Sequence, residues 1–160
     1  GHCIAVDPWF IVDAAPSTAR LIRSARETND AKPQWVIDQV KAAAFDVQQQ
    51  TGRAPRVAAL GLAFKPNIDD LRESPALNIV DSMAEQFTGS QILVAEPHVD
   101  ELPPRLQGRE NITFLDASEA VEQADIVLLL VDHDAFGQLG AAAAGKRVID
   151  TRGQWRAQQG

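Results

Sequence analysis

The stretch that decides the fold is Ile126-Val127-Leu128-Leu129-Leu130-Val131, six consecutive aliphatic residues. Such a run, without polar alternation, is typical of a parallel strand that is buried on both of its faces. Four other strand patterns lie elsewhere in the sequence, at 57–64, 92–95, 112–115 and 147–150. Helical patterns lie between several of them. This alternation predicts an α/β protein with a doubly wound parallel sheet and right-handed crossovers.

Two helix starts support this assignment. Ser74 followed by Pro75 predicts a capped helix over 75–87, because Pro is favoured at the first helical position. Asp116 with Glu119 resembles a capping box, which predicts a helix from there to about residue 124. Each helix falls between two predicted strands, as a crossover connection requires.

The region before Gly52 reads differently, as helices without strands. Ser17 predicts a helix cap, and Pro33 either interrupts that helix or begins the next one. An apolar stripe at helical spacing then follows, consisting of Val36, Val40, Ala43 and Val47. Ordinary core packing is the simplest explanation of this stripe. The sequence therefore predicts two parts, a helical part over 1–52 and an α/β part over 53–160.

Composition restricts the class of protein. The chain has 160 residues, 45% of them hydrophobic, and a net charge of −7. Nucleic acids and anionic membranes bind basic surfaces, so neither is an expected partner. Cys3 is the only cysteine, which suits a reducing compartment. Since no signal peptide and no apolar run of ~20 residues are apparent, we expect a cytoplasmic protein.

Cationic and aromatic residues follow the first and last predicted strands. Phe64 and Lys65 lie at the end of the first strand, and Arg152 comes after the last. Open parallel sheets bind ligands at the carboxyl ends of their strands, so these cations predict a site for an anion such as a pyrophosphate. The alternative is that Lys65 and Arg152 are merely solvated ends of strands.

Other familiar sites are missing from the sequence. No Gly-x-Gly-x-x-Gly follows the first strand and no Walker loop occurs, so a Rossmann-like sheet here is not expected to hold a dinucleotide in the usual way. Asp132, His133 and Asp134 are adjacent in sequence, and three consecutive residues cannot all converge on one ion. We therefore predict no metal site, and interpret these three residues as a helix cap or a loop cluster.

The first ten residues are Gly1-His2-Cys3-Ile4-Ala5-Val6-Asp7-Pro8-Trp9-Phe10. A thiol followed four residues later by a carboxylate suits a nucleophile with a nearby base. The alternative is that Cys3 is a small buried hydrophobic residue. Pro8 predicts a turn here, with Asp7 in an extended conformation.

Three segments together carry a resemblance. They are residues 1–10, residues 61–75 (Gly-Leu-Ala-Phe-Lys-Pro-Asn-Ile-Asp-Asp-Leu-Arg-Glu-Ser-Pro) and residues 148–153 (Val-Ile-Asp-Thr-Arg-Gly). In this order they resemble the UDP-glucose/GDP-mannose dehydrogenase family, over residues 1 to about 156. The resemblance implies NAD-dependent oxidation of the C6 alcohol of a nucleotide sugar to a carboxylate.

The resemblance also implies roles for individual residues. Cys3 matches the nucleophile that forms a thiohemiacetal and then a thioester, and Asp7 matches the carboxylate that handles water and protons. Phe64, Lys65 and Arg152 match contacts to the nucleotide sugar. Arg72 matches a residue that reaches towards NAD, although an ion pair with Glu73, Asp69 or Asp70 explains it equally well.

Partners and substrate follow from the same resemblance. It implies a homodimer through the helical region and NAD bound mainly by an amino-terminal domain outside this chain, so the chain alone is expected to be inactive. The amino-acid sequence of residues 5–10 favours UDP-N-acetylmannosamine as the substrate, and UDP-glucose, UDP-N-acetylglucosamine and GDP-mannose are the alternatives. Val6 departs from the lysine of some members. A non-catalytic nucleotide-sugar-binding or dimerisation module is the rival interpretation.

Overall fold

One five-stranded parallel sheet dominates the computed structural model, which describes residues 3–155. The strands lie in the order β3-β2-β1-β4-β5. Their bounds are β1 Arg56–Leu60, β2 Gln91–Ala95, β3 Ile112–Phe114, β4 Ile126–Leu129 and β5 Arg147–Asp150. The predicted doubly wound parallel sheet is therefore confirmed. The strand order reverses between β1 and β4, and the carboxyl ends of those two strands border the crevice where such sheets bind ligands.

Helices cover both faces of the sheet. On one face lie α3 (Lys32–Thr51) and α4 (Pro75–Gln86), and on the other lie α5 (Ala117–Gln123) and α6 (Leu139–Ala142). The strands alternate between the two faces: Val57 and Ala59 of β1 pack on the first, whereas Ala58 and Leu60 pack on the second. Burial on both faces explains the uninterrupted aliphatic run at β4.

The helix starts after β1 and β3 are largely as the sequence predicts. Ser74 Oγ accepts a hydrogen bond from Leu77 N at 3.3 Å, and Asp116 Oδ1 accepts one from Ser118 N at 2.8 Å. The second half of the predicted capping box is wrong. Glu119 accepts from Gln123 Nε2 at 2.9 Å, one turn further along the helix, so its side chain points away from the helix start.

The apolar stripe of α3 packs into the core. Val36, Val40 and Val47 are buried, and Ala43 packs partly buried against the same cluster. This confirms the interpretation of the stripe as core. The chain forms two compact units, one up to Trp35 and one from Val36 onward, so the boundary between them falls inside α3. The functional division at 52/53 remains a prediction.

The amino-terminal unit corrects two local predictions. Its helices are α1 (Cys3–Ala14) and α2 (Arg20–Asp30), and the N-cap position of α2 is Ala19, without a side-chain cap, so the Ser17 cap is wrong. Gly1 and His2 lie outside the described residues. Pro33 lies in the first turn of α3, which confirms the prediction that it begins a helix.

The predicted turn at Pro8 is also wrong, because Pro8 lies inside α1. A proline there has no N–H to donate to the carbonyl four residues earlier, which is that of Ile4. Arg26 Nη1 donates to Ile4 O instead, at 3.5 Å. The lost helical bond is thus partly replaced from α2. None of the described helices is both long and apolar enough to cross a bilayer.

Candidate functional site

The loop after β1 is fixed by a carboxylate that follows β2. Leu62 N and Ala63 N both donate to Glu96 Oε2, at 2.7 and 3.0 Å. Just before them, Gly61 N donates to Ala95 O at 2.9 Å and continues the sheet pairing. Two adjacent N–H groups after the first strand form the place where a Rossmann sheet usually receives a pyrophosphate. In this chain an internal anion occupies those donors.

Glu96 is paired with a histidine that follows β4. His133 Nε2 lies 3.1 Å from Glu96 Oε2, and both side chains are fully buried. Asn67 N donates to His133 Nδ1 at 2.9 Å. Because Nδ1 is an acceptor, a neutral His133 carries its proton on Nε2 and donates it to Glu96.

The hydrogen bonds to Glu96 determine its ionisation. Burial by itself would raise the pKa of Glu96, but hydrogen bonds from His133, Leu62 and His98 lower it. The net effect is a pKa below the ordinary carboxyl value. Glu96 is therefore an anion at neutral pH, and the four groups that donate hydrogen bonds to it stabilise its negative charge.

Asn67 links the loop after β1 to the loop after β4 through both its backbone and its side chain. Its N–H donates to His133, and its Oδ1 accepts from Asp134 N at 3.0 Å. Its φ of 61° lies in the left-handed region, which asparagine tolerates better than most residues. These two bonds hold it there.

In the loop after β1, Lys65 lies between the residues bonded to Glu96 and the residue bonded to His133. It is exposed, and within residues 3–155 no hydrogen bond or ion pair to its ammonium group is found. The preceding Phe64 is half-buried, and its N–H donates to Asp70 O at 2.8 Å. The loop thus carries an exposed cation on a fixed backbone.

Arg152 is held by two aspartates at the end of β5. Asp150 accepts hydrogen bonds from Arg152 N, Gly153 N and Trp155 N at 2.9, 2.6 and 2.9 Å, which shapes the loop. Asp132 Oδ1 accepts from Arg152 Nε at 2.7 Å. The terminal nitrogens of Arg152 donate to no other described residue, so they remain available for phosphate oxygens.

Arg72 is engaged within its own loop. Its Nε and Nη2 donate to the two carboxylate oxygens of Asp70, both at 2.8 Å. This is one of the ion pairs that the sequence allowed. A contact from Arg72 to NAD remains a prediction.

Cys3 and Asp7 belong to the other unit and share one helix face. Both are exposed on α1, four residues apart. Side chains at this spacing are neighbours on a helix, with their Cβ atoms roughly 6 Å apart. The helix therefore brings the thiol and the carboxylate together, which an extended segment would not do.

Three potential metal ligands also meet at the crevice. One ligand atom from each of Glu96, His98 and His133 lies within 4.8 Å of the others. A metal on His133 Nε2 would require a proton on Nδ1, but Nδ1 faces the Asn67 N–H donor. The hydrogen bonds therefore account for this cluster without an ion. The neighbouring Asp132 accepts a hydrogen bond from Arg152 Nε, and Asp134 N donates one to Asn67 Oδ1.

The sequence analysis missed Glu96, His133 and Asp150 as structural determinants of the site. Glu96 and His133 follow β2 and β4, and Asp150 is the last residue of β5, at the edge where Lys65 and Arg152 were expected. That position was the available signal. The partners of Glu96 and His133 lie up to 66 residues away in sequence, so local patterns do not reveal them.

Comparisons with known proteins identify the family of this chain. Residues 58–157 match the sequence model of the UDP-glucose/GDP-mannose dehydrogenase family, UDP binding domain. An NDP-N-acetyl-D-galactosaminuronic acid dehydrogenase from Ralstonia nicotianae is 56% identical, over 99% of this chain and 36% of that protein. A UDP-N-acetyl-D-mannosamine dehydrogenase from Salmonella typhi is 52% identical, over 98% of this chain and 37% of that protein.

A solved structure supports the same relationship. The UDP-N-acetyl-mannosamine dehydrogenase from Staphylococcus aureus shares 35% identity and a TM-score of 0.69, covering 95% of this chain and 34% of its own. The chain thus spans about a third of the length of these relatives. Since the family model matches more than half of the chain, this protein belongs to the UDP-glucose/GDP-mannose dehydrogenase family, and its α/β part is the UDP-binding domain.

Proposed function

We propose that this chain is the carboxyl-terminal part of an NAD-dependent UDP-N-acetylmannosamine 6-dehydrogenase, and that residues 53–160 bind the UDP of its substrate. The observation that carries the proposal is the carboxyl edge of the sheet. In a chain of net charge −7, Lys65 and Arg152 both follow strands at that edge with donors to spare. A diphosphate supplies the negative charge that such an arrangement favours.

The two cations suit different parts of a diphosphate. Arg152 is oriented through Nε by Asp132, which leaves its planar fork of terminal N–H groups for two oxygens. Lys65 supplies a compact charge on a mobile stem. Phe64 forms part of the same loop and is proposed to pack against the nucleotide sugar.

The proposed chemistry takes the C6 alcohol to a carboxylate in two two-electron oxidations, with NAD⁺ as hydride acceptor and one water consumed. Cys3, as its thiolate, adds to the aldehyde carbon and forms a thiohemiacetal, whose oxidation gives a thioester. Water then attacks the thioester and releases the acid and the thiolate. Asp7 accepts the proton that this water loses.

The described residues do not fit a dinucleotide in the usual place of this sheet, because Glu96 fills the donor pair after β1. We therefore propose that NAD is bound outside the sheet, in a part of the full-length protein beyond this chain. Arg72 would contact it. The chain alone is then expected to bind UDP without catalysing oxidation.

The relatives favour an N-acetylated sugar. One carries the name of an N-acetylmannosamine dehydrogenase and another that of an N-acetylgalactosaminuronic acid dehydrogenase. We keep UDP-N-acetylmannosamine as the first candidate and a galacto-configured N-acetyl sugar nucleotide as the second, since the latter name belongs to the relative at 56% identity. The product would serve surface-polysaccharide synthesis in the cytoplasm.

Self-association is proposed for the helical region. Large apolar side chains are exposed there, although the α3 stripe itself is core. They include Ile4, Phe10, Leu21 and Phe45. A homodimer that covers them is expected.

Calorimetric titration with UDP tests the proposal. Lys65→Ala and Arg152→Ala should each weaken binding about ten- to a hundred-fold, as expected for the loss of one hydrogen bond to a charged group. Arg147→Ala is the matched control, because Arg147 begins β5 at the opposite edge of the sheet and carries the same charge. Equal effects of Arg147→Ala and Arg152→Ala would contradict the proposed location.

A second measurement separates the enzyme from a non-catalytic binding module. In the full-length protein with NAD⁺ and UDP-N-acetylmannosamine, the change Cys3→Ser should abolish the steady-state formation of NADH, because the second oxidation requires the thiohemiacetal, while the first oxidation can still form NADH in a single turnover. A wild-type full-length protein that binds UDP but forms no NADH with any of the candidate sugars would favour the binding module.

A further inference from the structure

The buried pair of Glu96 and His133 takes no part in the proposed chemistry, yet it contacts the backbone of the Lys65 loop at three positions. Leu62 N and Ala63 N donate to Glu96, and Asn67 N donates to His133. We propose that Glu96 and His133 are positioning residues, a clamp that places Lys65 for the substrate diphosphate. This inference rests on the proposed UDP binding at the carboxyl edge.

The energetics favour a specific use of these two side chains. Burying a carboxylate without compensation costs several kcal/mol, and apolar residues of similar volume often stabilise a core equally well. Glu96 is compensated by four hydrogen-bond donors, and three of these bonds end on the Lys65 loop or on the histidine that holds it. The network thus specifies the conformation of that loop.

The hydrogen-bonded residues lie close to Lys65 in sequence, on both sides of it. Ala63 is fixed two residues before Lys65, and Asn67 is fixed two residues after it. Asn67 is held in a left-handed conformation that the chain would otherwise leave. The backbone at Lys65 is therefore confined, while its side chain stays free to meet an anion.

The charge of Glu96 and its proposed positioning role predict opposite changes in the affinity for UDP when Glu96 is removed. Glu96 is an anion close to a site that is proposed to bind an anion, so by charge alone its removal should strengthen UDP binding. If Glu96 acts by positioning Lys65, its removal should weaken UDP binding instead. A purely structural role predicts lower stability with unchanged affinity for UDP.

The test is a double-mutant cycle measured by UDP titration of the 160-residue chain. We compare wild type, His133→Phe, Lys65→Ala and the double variant, with Glu96→Gln as a nearly isosteric second probe. His133→Phe should weaken binding about tenfold in the wild-type background and less than twofold in the Lys65→Ala background, because His133 acts through Lys65. Glu96→Gln should also weaken binding.

Asp125→Asn is the matched control. Asp125 accepts from Arg53 at 2.7 and 2.8 Å and from Arg56 N at 2.8 Å, so it too fixes a loop through backbone and side-chain donors. It lies at the amino edge of the sheet, beside the start of β1. Its removal should lower stability and leave the affinity for UDP unchanged.

Hydrogen exchange of the Leu62, Ala63 and Asn67 amides measures the clamp without any ligand. These amides should exchange faster in His133→Phe than in wild type or Asp125→Asn. Unchanged exchange, additive effects of His133→Phe and Lys65→Ala, or tighter UDP binding by Glu96→Gln would each overturn the inference. Failure of the wild-type chain to bind UDP would instead reject the proposed function, and with it the use assigned to the clamp.

Discussion

Gly61→Ala is expected to be one of the most damaging single changes in the α/β part. Gly61 directly follows β1 and has a φ of 93°, a conformation that costs an L-residue roughly 1–2 kcal/mol. An added Cβ would lie 2.5 Å from Val131 Cβ and 2.9 Å from Val131 N. Since this contact requires the backbone to move, overpacking should add about 1–3 kcal/mol. The expected loss is about 2–5 kcal/mol in the free energy of unfolding.

Gly145→Ala separates the two contributions. Gly145 has a similar φ of 83°, but a Cβ built there meets nothing within 4 Å. It should therefore lose only the conformational part, about 1–2 kcal/mol. Urea unfolding of both variants, followed by circular dichroism, measures the difference. Equal losses would refute the argument that close approach to Val131 is what requires glycine at position 61.

Two further predictions concern the buried polar groups. Because the folded pKa of Glu96 is lowered, the stability that it contributes is present above the ordinary carboxyl pKa of about 4.3 and is lost as pH falls through the lower folded value. In Glu96→Gln, the free energy of unfolding should therefore decrease less as the pH is lowered. The control is Glu101→Gln, at an exposed position, in which the decrease should be as large as in the wild type. Equal decreases in Glu96→Gln and in the wild type would contradict this prediction. Trp155→Phe should cost about 1–3 kcal/mol, since it leaves the carbonyl of Phe136 without the Nε1 donor now at 3.0 Å. Trp35→Phe, at a half-exposed site, is the control in the same denaturation assay, and an equal loss there would contradict the prediction.

The sheet could be predicted because its signals are local. Six aliphatic residues around β4 indicate burial on both faces, and Ser74 with Pro75 indicates a helix start whatever lies elsewhere in the chain. The carboxyl-edge location of Lys65 and Arg152 then follows from the geometry of parallel strands. Their roles in binding stay predictions until UDP is titrated.

The wrong prediction at Pro8 arose because a distant contact overrides a local rule. Pro8 normally ends a helix, but Arg26 donates to the carbonyl that the proline leaves free, so α1 continues. The helix changes the interpretation of the first segment, because it places Cys3 and Asp7 on one face. A rule based on neighbouring residues alone cannot include a donor 22 positions away.

Glu96 shows why a Rossmann-like sheet need not bind a dinucleotide. The fold presents two backbone N–H groups after β1 in any sequence, and a carboxylate that follows β2 can reach them as readily as a pyrophosphate can. Since Glu96 occupies those donors, we propose that an external anion uses the next cations along the same edge. In this chain these are Lys65 and Arg152. The same carboxylate that closes the usual dinucleotide site also fixes, through Leu62 and Ala63, the loop from which the proposed diphosphate site is built.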